Sequence, residues 1–293
     1  MSQEEEVFRP RRSVLYMPAS RASALEKAKS LSADALIFDL EDAVAPDAKA
    51  DARGMAVQAA LSGEYGRREI AIRANGLDTP WGKEDLQAIA QSGAHAVVIP
   101  KVESAKMLDE VGQILADAGA PENLWLWAMI ETPKGVLRVE EIAAHSKLTV
   151  LVMGTSDLAV DLTANHTPER IPFLTSFGLV LLAARAHGRS VLDGVHLNLT
   201  DDKEFEAHCR QAVDMGFDGK TLIHPKQVAP ANAWFGPDPK AVENAEKVVE
   251  AYETAIATGQ GVATLDGKLI ENLHAVQARR ILAKAAAIEA LGN

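Results

Sequence analysis

The feature that most constrains this chain is its rhythm. Eight short apolar runs, rich in β-branched residues, recur along it: SVLYMP (13–18), ALIFDL (35–40), EIAIRA (69–74), AVVIPK (96–101), LWLWAMI (124–130), TVLVM (149–153), SVLDGV (190–195) and GKTLI (219–223). Runs this short and this continuously apolar suit strands buried on both faces, as in a parallel sheet. Segments of helical pattern separate them, at 22–31, 48–61, 81–91, 104–118, 136–144, 172–187 and 201–215, and another follows the last run at 241–257. Within 172–187, Phe173, Phe177 and Leu181 recur at helical spacing. Eight strand–helix alternations over about 250 residues predict an α/β fold of the (β/α)8 TIM-barrel type. A doubly wound open sheet is the rival, but no G-x-G-x-x-G follows the first run.

One piece is left over after a closed barrel. Gly259-Gln260-Gly261 breaks the chain, VATLDGKLIE reads as a hairpin turning at Asp266-Gly267, and an Ala-rich amphipathic helix spans 272–291. The expected organisation is a disordered acidic terminus over 1–10, a catalytic barrel over 11–258, and a C-terminal hairpin-plus-helix extension over 259–293. That extension either packs on the outside or acts as a lid or inter-subunit arm.

The side chains narrow the function. A chain of 293 residues buries roughly 75% of its unfolded surface, so it needs no covalent staples. Its 30 basic and 41 acidic side chains leave a formal charge of −11, which disfavours nucleic acid or an anionic membrane as partner. Anionic small molecules need only a local basic pocket. A single cysteine, Cys209, rules out an internal disulfide and a multi-cysteine zinc site. The acidic start MSQEEEVFRP has no apolar run and no stretch of about 20 apolar residues occurs, so the expected address is the cytoplasm.

Barrel active sites lie at the carboxyl ends of the strands. There the sequence places Asp39, Glu41 and Asp42, then Arg73 and Asn75, Lys101, Glu131, Asp157, Asp193, and His224 with Pro225. Carboxylates outnumber bases in this set, which suits a hard cation such as Mg²⁺. Glu131 and Asp157 end neighbouring strands and are the expected ligand pair. The alternative is that both serve as partners of Arg73 or Lys101. Arg73 is the best local cation for a carboxylate or a thioester oxygen gaining charge, and it equally suits pairing with the 39–42 acids. Lys101 or Lys220 could form a Schiff base, but nearby carboxylates oppose the depressed pKa this needs. Cys209 reads as a buried mid-helix residue. No G-x-S-x-G elbow occurs, and His145, His166 and His187 lack metal-ligand spacing.

These strand ends carry a resemblance. RSVLYMPAS (12–20), ADALIFDLEDAV (33–44), KADAR (49–53), IRANGLDTPWG (72–82), IPKVES (99–104), MIETPKGV (129–136), MGTSDLA (153–159) and GFDGKTLIHPKQV (216–228) follow one another in order. The chain resembles the citrate lyase β-subunit family of CoA-ester lyases, related to the HpcH/HpaI aldolases. The resemblance implies a trimeric or hexameric barrel with Mg²⁺, for which Mn²⁺ can substitute, and an acyl-CoA substrate. It puts the metal on Glu131 and Asp157 and the substrate arginine on Arg73. It puts CoA binding on Tyr16, Arg21 and Lys27 after the first strand, with Arg12 in the same basic patch, and on the His224-Pro225 corner.

Where family members that make or break a carbon–carbon bond have an aspartate in a GKMVD context, GKLIENLH here has Glu271. In the family that carboxylate acts across the subunit boundary as an acid/base. With Asn272-Leu273-His274 following, this stretch is similar to the (3S)-malyl-CoA thioesterase branch. The implied catalytic groups are Arg73, Glu271 and Asp42. The implied reaction is Mg²⁺-dependent cleavage of a malyl-CoA-type thioester, foremost its hydrolysis to malate and CoA. The alternative is retro-Claisen splitting of malyl-, methylmalyl- or citramalyl-CoA. An aldolase of a free hydroxy acid and a non-catalytic CoA-binding barrel remain as further readings.

Overall fold

The computed structural model describes residues 9–292. Most of the expected acidic terminus over 1–10, its first eight positions, lies outside the described residues. Two compact units divide the chain. Arg11–Phe235 forms one, and the described residues from Gly236 to Gly292 form the other, together with Arg9 and Pro10.

The first unit is a closed parallel barrel in simple sequential order. Its strands are β1 (Ser13–Pro18), β2 (Ala35–Asp39), β3 (Glu69–Arg73), β4 (Ala96–Ile99), β5 (Trp125–Ile130), β6 (Leu148–Met153), β7 (Ser190–Asp193) and β8 (Gly219–Leu222). All eight predicted runs become strands because both faces of each are buried. Val14, Ile37, Val98, Trp127, Val150 and Leu192 belong to one apolar cluster. The alternating residues Leu15, Leu36, Ile72, Val97, Leu126 and Leu151 belong to a second, which includes Leu86 and Leu108 of the surrounding helices. This period of two fills the barrel with one set and packs the helices with the other.

Register continues across the closure, with Ser13 opposite Lys220 and Leu15 opposite Leu222. Gly219 is required there: a Cβ would lie 1.7 Å from the carbonyl oxygen of Arg11. Arg11 sits at the amino-terminal end of the barrel, 5.4 Å over the Trp127 ring, with its Nε 2.6 Å from Glu69.

The helices of the barrel unit are shorter than the predicted segments or split, whereas the predicted 241–257 segment begins two residues earlier, at Pro239, and 272–291 holds as expected. The 136–144 segment is two short helices, Pro133–Leu137 and Val139–Ala143. Two helices escape the sequence pattern. Thr155–Asp161 follows β6, and Val228–Phe235 is the helix that follows β8 within the barrel unit.

In the second unit, helix Pro239–Ala257, the antiparallel strands Ala263–Leu265 and Lys268–Ile270, and helix Asn272–Leu291 share a small core. Asp266 and Gly267 both have positive φ, 50° and 75°, as a two-residue hairpin turn of this kind requires. Among the described residues no helix is long and apolar enough to cross a membrane.

Candidate active site

Five acidic side chains, one arginine and one lysine line the carboxyl rim of β2 to β6. Arg73 ends β3 directly opposite Asp39 of β2 in register. Its Nε and Nη2 each donate to an oxygen of Asp39 at 2.6 Å. Its remaining nitrogen, Nη1, lies 2.7 Å from Glu41 Oε2 and 3.4 Å from Asp42. The guanidinium also sits 4.9 Å over the Tyr16 ring. Burial works against the charge of Arg73, but Asp39, Tyr16 and Glu41 outweigh it and keep the arginine firmly protonated. Burial also raises the Tyr16 hydroxyl well above its ordinary range, so it stays a neutral phenol.

Glu131 follows β5 and is buried at 3% exposure. Its Oε1 accepts the backbone N–H of Lys101 at 2.8 Å. Lys101 achieves this with a left-handed backbone, φ 49°, which is strained for a lysine. Across the rim, a Cβ on Gly154 would meet Glu131 Oε2 at 2.2 Å, so only glycine leaves space for this carboxylate. Gly154 caps the helix Thr155–Asp161, whose first turn carries Asp157. Asp157 Oδ2 lies 3.2 Å from Lys101 Nζ. Burial lowers Lys101, but the hydrogen bond and charge of Asp157 prevail and hold its ammonium above the ordinary value.

The two glutamates, Glu131 buried and Glu41 half-buried, sit where a negative charge is poorly stabilised. Burial pushes Glu131 up to about 8, with Glu41 and Asp157 adding repulsion and the Lys101 N–H and Arg73 only partly offsetting it. Burial pushes Glu41 up to about 7, against the attraction of Arg73. Glu41 Oε2 accepts no well-formed hydrogen bond despite its closeness to Arg73, because the contact is near but misaligned. Glu41 is the member of this group that sequence reasoning left unassigned; its alternation with Asp39 along the strand end was the available signal.

The other expected site residues separate into groups. Asp42 is largely exposed, at the edge of the Arg73 cluster. Arg21 caps helix Ala22–Ala28 at the rim side of β1, and Lys27 lies in that helix's last turn; both are exposed. Arg12 is not with them. It precedes β1, at the opposite end of the barrel, where its Nε, Nη2 and backbone N–H all bond to Asp34 at 2.8 Å. The expected patch of Arg12, Arg21 and Lys27 is therefore corrected: Arg12 is a buried structural ion-pair partner. Asp193 likewise does not reach the rim group. Its neighbour Leu192 belongs to the barrel interior, so Asp193 faces outward, where Lys220 and Arg170 bind it at 2.6 and 2.7 Å. This buried triad also accounts for Lys220 without a Schiff-base role.

His224 follows β8 and accepts the Lys226 N–H at Nδ1, 3.1 Å away, with Pro225 starting the short turn between them. Glu271 belongs to the second unit, at the head of helix Asn272–Leu291, where its N–H donates to His274 Nδ1 at 3.0 Å.

Comparison with known proteins adds to this geometry. Residues 12–225 match the HpcH/HpaI aldolase/citrate lyase family. A (3S)-malyl-CoA thioesterase of Cereibacter sphaeroides is 51% identical over 281 residues, covering 96% of each chain. The L-malyl-CoA/beta-methylmalyl-CoA lyase of the same species is 33% identical over 307 residues, again covering 96% of each. Among solved structures, CitE from Mycobacterium tuberculosis in complex with magnesium, acetoacetate and coenzyme A is similar at a TM-score of 0.74 and 28% identity, covering 94% of this chain and 97% of that one. The barrel, the ordered rim acids and these relatives agree: the chain belongs to the HpcH/HpaI aldolase/citrate lyase family.

Proposed function

We propose that this protein hydrolyses a malyl-CoA-type thioester with a divalent metal, (3S)-malyl-CoA foremost. The observation that carries the reading is the pair of rim acids Glu131 and Asp157, gathered around Lys101 beside the clamped Arg73. Identity of 51% to a protein named for that reaction supports the substrate.

The donor set fits Mg²⁺. Oxygen ligands only are offered, and Mg²⁺ typically uses one or two protein carboxylates and keeps waters or substrate oxygens in the remaining positions. Glu131 is held at high pKa by burial and like charge, which is the condition a bound cation relieves. Glu131 and Asp157 would hold the ion, and Mn²⁺ would fit the same oxygens. When bound, the metal supplies Lewis-acid polarisation of substrate oxygens and fixes their orientation.

The chain's own residues do the rest. Arg73 cannot swing, because Asp39 holds two of its nitrogens, so Nη1 is presented at a fixed point for the thioester oxygen as it gains charge. Water adds to the thioester carbonyl carbon, the carbon–sulfur bond breaks, and the thiolate leaves as CoA after taking a proton. Glu271, supplied by a neighbouring copy, is the acid/base for that water. Arg21, Lys27, Tyr16 and the His224-Pro225 corner receive the CoA portion, and Asp42 supports the outer edge of Arg73. The assembly is a homotrimer or homohexamer. An apolar groove between helices Val139–Ala143 and Leu174–Ala186, where Leu137 and Leu182 are 80% and 71% exposed, supports self-association. The proposed compartment is the cytoplasm, where the substrate class would be met.

Incubation of malyl-CoA with enzyme and Mg²⁺ tests the reading. Malate and free CoA without glyoxylate support hydrolysis. Stoichiometric glyoxylate and acetyl-CoA overturn it in favour of the carbon–carbon lyase chemistry named for the 33%-identical relative. Turnover undiminished by excess EDTA removes the metal from it.

A further inference from the structure

Beyond the last paired residue of β8, Leu222, the chain turns at the rim, and its next two N–H groups have no strand to receive them. Both are taken by one side chain. Gln227 Oε1 accepts the N–H of Ile223 at 3.1 Å and that of His224 at 3.2 Å. Its Nε2 donates to the carbonyl of His196, past the end of β7, at 3.0 Å. Gln227 is 3% exposed, so both lone pairs of its oxygen and one amide hydrogen are spent in a buried place. The anchor at the far end is itself held. His196 is 4% exposed, its Nδ1 lies 3.2 Å from His208 Nδ1, and His208 Nε2 lies 3.0 Å from the carbonyl of Pro168.

What Gln227 fixes is an exposed edge. Ile223 is 37% exposed, and His224 is exposed with Nδ1 occupied as an acceptor by the Lys226 N–H. With Nδ1 accepting, Nε2 is left as the donor, so the edge offers one hydrogen-bond donor beside an apolar side chain. A donor next to an apolar surface matches the amide-and-methylene arm of CoA. We infer that Gln227 is a positioning residue for the acyl-CoA substrate, holding Ile223 and His224 against the end of β7 in the shape that receives this arm. This rests on the reading of the His224-Pro225 corner given above.

Gln227 does not touch the reacting atoms, so its loss should weaken binding and spare chemistry. The experiment compares wild type, Gln227→Met and Gln227→Glu by calorimetric titration with free CoA, by steady-state kinetics on malyl-CoA with Mg²⁺, and by circular dichroism. Methionine keeps the volume and removes the acceptor. Glutamate keeps an acceptor for the two N–H groups but loses the donor to His196. The expected result is CoA affinity reduced about tenfold in Gln227→Met, KM raised by a similar factor, kcat within about twofold, and an intermediate loss in Gln227→Glu. Unchanged affinity and KM in a folded Gln227→Met overturns the inference, as does an equal fall in kcat without a rise in KM. Should Gln227→Met fail to fold, Gln227→Glu decides by the same split. Failure of wild type to bind CoA overturns the acyl-CoA reading itself, an outcome distinct from wild-type binding that the variants match.

Discussion

Asp39 and Arg73 stand directly opposite each other on β2 and β3 and close a two-point contact, both bonds 2.6 Å long. Such a fork fixes direction as well as charge. Asp39→Asn keeps the shape and removes the countercharge of a buried arginine. Breaking one side of a buried pair costs about 3–5 kcal/mol. Urea denaturation should show a loss of that order, and kcat/KM should fall at least ~100-fold because the guanidinium is no longer aimed. Arg73→Lys should fold nearly as well and lose comparable activity, since an ammonium cannot bridge both oxygens. Wild-type rates in either variant would remove Arg73 from the chemistry.

Glu131 gives a pH prediction with a definite sign. Its pKa of about 8 in the folded, metal-free protein exceeds its ordinary 4.5, so the native state holds this proton more tightly than the unfolded chain. The contribution of the group to stability is therefore full below about 4.5 and is lost as pH rises towards about 8. In EDTA, Glu131→Gln should melt higher than wild type, and the gap should widen with increasing pH over that window. Adding Mg²⁺ should raise the melting temperature of wild type and leave the variant unmoved. A metal response preserved in the variant would exclude Glu131 as a ligand.

Gly154→Ala tests the space beside that carboxylate. The new methyl would meet Glu131 Oε2 at 2.2 Å and its Cβ at 2.4 Å, so the side chain must move. Overpacking of this kind costs roughly 1–3 kcal/mol. A displacement on the order of 1 Å at a positioned group costs roughly 100-fold in rate. Differential scanning fluorimetry and steady-state kinetics should show a modest stability loss with a disproportionate loss of activity.

His208 titrates in the opposite sense. Burial, aided by Arg170 and Lys220, lowers it to about 4 from an ordinary 6.5. The unfolded chain then binds the proton more readily, so stability falls as pH drops from about 6.5 to about 4. The whole window is on the order of 3 kcal/mol for one group shifted this far. His208→Gln, able to keep a donor for Pro168, should flatten the acid side of the stability profile measured by denaturant titration. An unchanged slope would show that other groups set it.

The barrel was legible because burial on both faces leaves a continuous apolar mark, as in the run from Ala35 to Phe38, where interior and helix-facing residues alternate. The rim acids were legible because strand ends are where such a fold presents chemistry. Other features left weaker marks. The segment VAPANAWF is short and contains a proline, yet it becomes helix Val228–Phe235 once β1 and β8 offer a surface for Val228 and Ala231. Arg12 was grouped by charge alone, although its position before rather than after β1 places it at the far end. Glu41 shared its spacing with Asp39, but the partial burial beside Arg73 that gives it importance has no signature in the letters around it.

Lys101 has a lasting consequence for how this protein can vary. Its main chain orders one acid and its side chain steadies another, from a backbone shape that glycine would adopt at less cost. Relaxing the loop by exchanging it for glycine would forfeit the ammonium. A bulkier branched residue would forfeit the amide's aim. Backbone ease favours glycine at this position while the ordered mouth needs the lysine's ammonium, so no single substitution serves both.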